Sequence, residues 1–201
     1  ALVGLATEAC DNPDMQAMFN LQERLQEKIE QSKKLNAPKD LEAFKIMIAR
    51  TIGYGKLAAF YPILEDYMKD LSPAVVKQAI LSAGSSQAPC FIKTLLSFLP
   101  NKSTRSAARK ALARYEPAEL LPILEDVSRA PDTKTDLLIQ LPALAETMET
   151  QQAVDYLFAL VQQEDPIVKM EALESLHKIK ARFPHLTIGW KRLIPVITGD
   201  I

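Results

Sequence analysis

The chain has 201 residues, 48% of them apolar, with 24 basic against 25 acidic side chains and a formal charge of −1. That is enough for one or two domains with a buried core, and it argues against a protein whose main task is gripping nucleic acid, which carries a clear positive excess. Two cysteines, Cys10 and Cys90, are too few and too isolated for a disulfide framework or a metal cage, and they read as small buried thiols in a reducing compartment.

Taken in chain order, Ala1-Leu2-Val3-Gly4-Leu5 reads like the tail of a helix, so the chain is expected to be a segment of a longer protein. Residues 1–10 carry no basic leader, and no signal peptide is expected. Met15 to Lys34 reads as one long helix with Met15, Met18, Leu21, Leu25 and Ile29 on a face. Further on, Val75, Val76, Ala79, Ile80 and Ala83 recur at helical spacing, as do Phe91, Ile92, Leu95, Leu96 and Leu99. The same period returns in Val154, Leu157, Phe158 and Val161, and in Val168, Ala172, Leu173, Leu176 and Ile179. No stretch alternates with period two between turn residues, so strands are not expected. The longest uncharged run, Gln78 to Ile92, is broken by Gly84 and Pro89. A membrane span needs roughly 18 or more apolar residues, so no insertion by this segment is expected.

Punctuation between the helical runs is regular. Asn12-Pro13, Ala37-Pro38, Ser72-Pro73 and Asp165-Pro166 each put proline at a first helical position, where its missing N–H costs nothing. Asn12, Ser72 and Asp165 are good N-caps, and Ser103 and Asp132 are expected to cap the two units without the proline. The pentapeptide Pro-Ile-Leu-Glu-Asp occurs at 62–66 and again at 122–126, 60 residues later. Half that distance is a solenoid repeat length. Middles of first helices at Ile48, Ala79, Ala108, Leu137 and Ala172 are spaced 31, 29, 29 and 35, and second helices centred on Leu64, Leu95, Leu124 and Leu157 are spaced 31, 29 and 33. Pro142 should kink or split the first helix of the longer unit before Ala143. At Pro62 and Pro122, either the second helix begins a turn late or the proline ends an irregular first turn.

Paired helices with these starts resemble HEAT repeats of the short, bacterial kind. The residues that carry the likeness are Ser72-Pro73-Ala74-Val75 with Ala79 to Gly84, Ala107 to Leu112, and Glu164-Asp165-Pro166-Ile167-Val168 with Glu171-Ala172-Leu173. Armadillo and related α-solenoids share the same physics. A narrower likeness, in Gln152 to Leu157, Glu171 to Leu176, Lys180 to Pro184 and Leu141-Pro142, is to the HEAT region of bacterial transporter-like fusion proteins whose membrane bundle is similar to ATP/ADP translocases. The resemblance implies an all-α, right-handed α-α superhelix of about five helical hairpins. It divides the chain into an atypical N-terminal unit 1–37, repeats over 38–185 (about 38–71, 72–101, 102–131, 132–165 and 166–185 onward), and a C-terminal segment 186–201 read as a truncated repeat. It also implies a cytoplasmic docking or regulatory module, in the cytoplasmic portion of a membrane protein if the narrower likeness holds.

No catalytic constellation emerges. His177 and His185 are eight residues apart with Pro184 between them, whereas two ligands on one helical face need a spacing of four. The pairs Glu65-Asp66, Glu125-Asp126 and Glu164-Asp165 are adjacent in sequence, so their carboxylates do not face each other and read as a solvated face. No phosphate loop, nucleophile elbow or Cys/His arrangement is present, so no enzyme activity, cofactor or metal is expected. Two surfaces remain. One is a groove lined by second helices, including Glu65, Lys69, Glu125 and Arg129, for a protein partner or a neighbouring domain of the same chain. The other is the basic helix with Lys102, Arg105, Arg109, Lys110 and Arg114, which could meet phosphates or an acidic surface. The leading expectation is a non-catalytic scaffold for protein–protein interaction or intramolecular regulation. The alternative is a nucleic-acid-binding module of the HEAT-like DNA glycosylase kind, which would need a basic concave face and an acid near aromatics; the lone Trp190 lies outside the array.

Overall fold

Helical periodicity, scarce glycine and proline-marked starts leave little alternative to helix. In the computed structural model all the regular structure among the described residues is helical. The structure describes residues 13–32 and 38–189, with side chains for 20–31 and 40–189. The expectations for Cys10, Asn12, Met15, Met18 and Trp190 fall outside these. The chain divides into two compact units, 1–88 and 89–201, and the division falls inside the segment 72–101 expected to form one repeat.

In the first unit, α1 (Pro13–Ser32) packs on α2 (Pro38–Tyr54), α2 packs along α4 (Pro73–Ser86), and α3 (Tyr61–Tyr67) touches both α2 and α4. Ile48, Ala49, Ile52, Leu64, Val75, Ala79, Ile80 and Ala83 are completely buried. Each buried leucine or isoleucine contributes about 1.5–3 kcal/mol of transfer free energy. Gly53 lets the two long helices approach: a Cβ there would lie 2.5 Å from the Ser82 carbonyl oxygen. Ser72 caps α4 by accepting from the Val75 amide at 3.4 Å, and its hydroxyl also donates to Glu42. Both long helices end in a left-handed residue, Lys56 (φ 49°) after α2 and Gln87 (φ 54°) after α4. The two are joined by a hydrogen bond from Lys56 Nζ to Gln87 Oε1 of 3.0 Å.

In the second unit α5 (Ile92–Ser97) packs on α6 (Arg105–Leu112) and α7 (Pro117–Arg129). After the short pieces α8 (Thr135–Leu138) and α9 (Pro142–Ala145), α7 packs on α10 (Gln151–Val161), and α9, α10 and α11 (Pro166–Arg182) pack on one another. Asp165 caps α11 through the Ile167 and Val168 amides, at 2.8 and 3.3 Å. Beyond α11 the chain runs back toward α10. Gln151 donates from Nε2 to the Thr187 carbonyl at 3.0 Å and accepts from the Thr187 amide at 3.1 Å, while Leu186 and Ile188 are buried.

Several local expectations are corrected. Ser103 caps nothing: Asn101 Oδ1 accepts from both its amide and its hydroxyl, and α6 begins two residues later without a side-chain cap. Asp132 is exposed in a turn held by Thr133 Oγ1 donating to the Val127 carbonyl, so α8 starts only at Thr135. Cys90 is exposed, because Phe91 takes the buried position in the 3₁₀ turn Pro89–Phe91. The two Pro-Ile-Leu-Glu-Asp copies also differ. Left-handed Lys56 and the 3₁₀ turn Ala58–Phe60 delay α3 until Tyr61, placing Pro62 in its first turn. The extended Glu116 and first-position Pro117 start α7 earlier and leave Pro122 inside it. At Pro142 the helix is split, as its missing N–H requires. This moves the register: Leu137 is only half-buried, whereas Leu141 is fully buried.

Candidate docking groove

An open groove of about 810 Å³ lies between α7 and α10 in the second unit, with the turn 162–165 in its lining. Helical spacing builds both walls. Glu125, Ser128 and Arg129 stand at i, i+3 and i+4 on α7, while Asp155, Tyr156, Ala159 and Leu160 share a face of α10. Leu124 beneath one wall and Leu157 beneath the other are completely buried, which fixes the direction of the faces left over. Tyr156 and Leu160 form a floor with almost no exposure, and the Tyr156 hydroxyl donates to the Leu124 carbonyl at 3.4 Å.

The rim is charged and mostly acidic: Glu125, Asp155, Glu164 and Asp165 against Arg129. Arg129 Nη2 donates to Glu125 Oε2 at 3.0 Å. The pair is exposed, so it contributes at most about 1 kcal/mol. Burial pushes the Tyr156 hydroxyl well above its ordinary range and the Glu125 charge adds to this, outweighing a hydrogen bond with Ser128. Tyr156 is therefore neutral and acts as a structural donor. The Ser128 hydroxyl donates to the Glu125 carbonyl at 3.0 Å and has no imidazole or ammonium beside it in the groove lining. These groups can hold polar and cationic partners; they do not form a nucleophile and base. Among the described residues no group of three His, Cys, Asp or Glu is placed to hold a metal ion.

Of the residues expected to form an interaction surface, the structure brings Glu125 and Arg129 together in this groove. Glu65 on α3 and Lys69 just beyond it are exposed on the first unit. The basic helix is less available than its sequence suggests. Arg105 turns back to donate from Nε to the Leu99 carbonyl and from Nη2 to the Pro100 carbonyl, both at 2.8 Å, capping the chain that leaves α5. Arg109 donates from Nη2 to Gln140 Oε1 at 3.0 Å, and its Nε is buried without a hydrogen-bond partner. Lys102, Lys110 and Arg114 are exposed. Sequence reasoning missed Asp155, Tyr156, Gln162 and Gln163. No signal within one helix could have named them, since they share the opening only because α7 and α10 pack side by side. No protein-family model matches the chain, and no curated protein matches it.

Proposed function

We propose that the chain is a non-catalytic helical-repeat scaffold, a HEAT-like right-handed superhelix of about five hairpins, that docks a protein partner or a neighbouring domain of its own chain. The groove between α7 and α10 carries this reading, because it is broad, open and lined by polar side chains from two successive second helices. The repeat reading is supported by side-chain bonds that join residues about one unit apart: Arg50 Nε to Gln78 Oε1, Arg109 to Gln140, and Ser175 Oγ to Glu146 Oε2. The 3₁₀ turns Ala58–Phe60 and Pro89–Phe91 are likewise 31 residues apart. In such an array each unit buries its apolar stripe only against neighbours, and one face of the second helices is left for a ligand. Membership of a larger, transporter-like membrane protein is the extension that the likeness in 152–157 and 171–184 supports; no helix among the described residues is itself long and apolar enough to cross a membrane.

Photo-cross-linking in the native host tests the docking role. A benzophenone amino acid replaces Gln163 in the groove or, as a control, Lys110 on α6. A discrete cross-linked protein from position 163 that is absent from position 110 is the expected result. Equal labelling from both positions, or none from 163, would refute docking in the groove.

A further inference from the structure

We draw no further inference here: the strongest candidate, the exposed apolar patch of Ile167 and Met170 on the outer face of α11, carries nothing because nothing in the structure shows what covers it.

Discussion

The substitution Gly53→Ala tests the contact that organises the first unit. A Cβ built at Gly53 lies 2.5 Å from the Ser82 carbonyl oxygen, 2.7 Å from its Cα and 2.8 Å from its Cβ. Ordinary contact begins near 3.4 Å, so α2 and α4 would have to part by about 0.9 Å at their closest point. Two of the three opposing atoms are backbone and cannot rotate away. Overpacking of this kind costs typically about 1–3 kcal/mol. The opposing gain from replacing a helical glycine by alanine is at most about 1 kcal/mol, and smaller in the last turn, where Gly53 sits. With the overpacking cost at about 2 kcal/mol, the middle of that range, the balance is a loss of about 1–2 kcal/mol, read as a lower urea midpoint with an unchanged slope. Ser82→Gly in the same chain should not restore stability, since it removes only the farthest of the three clashing atoms. A Gly53→Ala protein as stable as the original would mean that the helices do not touch at Ser82, and the packing described for the first unit would be wrong.

Leu64→Ala and Leu124→Ala should each cost about 2–5 kcal/mol by leaving a cavity, since both side chains are completely buried; urea denaturation showing losses under about 1 kcal/mol at both would remove the shared register. Arg105→Lys should destabilise nearly as much as Arg105→Ala, by about 1–2 kcal/mol, because the two carbonyls it caps need a planar fork; full retention of thermal stability by the lysine variant would show that charge alone suffices there. Burial raises the Asp70 carboxyl, but the Lys45 ammonium and the Ser72 amide outweigh it and hold the group below its ordinary value. Its contribution to stability is therefore present above the unfolded carboxylate range and lost as pH falls through the folded value. Asp70→Asn should be less stable near neutral pH, with the gap to the original protein closing below about pH 4; a gap independent of pH would show that the Lys45–Asp70 pair contributes nothing through its charge.

The groove also shows why charge read along a chain misleads about what a surface presents. Arg105, Arg109 and Arg114 share a helical face by spacing alone, yet the first two are turned to a carbonyl pair and to Gln140. Conversely, Glu125 and Asp155, unremarked as a pair in the sequence, line one opening because α7 and α10 pack side by side.

Helix content and the caps at Ser72 and Asp165 could be read directly from the residues, because each depends on interactions within one helix or its first turn. Periodicity tells which face of a helix is apolar, and a proline after serine or aspartate marks a start whatever the rest of the chain does. The false caps at Ser103 and Asp132 show the limit of that locality, since a neighbour in each turn decides the outcome through its own side chain: Asn101 Oδ1 accepts from the Ser103 amide, and Thr133 Oγ1 donates to the Val127 carbonyl. The divergence of two identical pentapeptides at Pro62 and Pro122 has a similar cause: what starts a helix is the conformation several residues upstream, left-handed at Lys56 and extended at Glu116. The replacement of Leu137 by Leu141 as the buried residue, the exposure of Cys90 and the membership of the groove were settled only in three dimensions. They depend on which side chains from different helices compete for the same volume, and sequence spacing carries no information about that until the helices are packed.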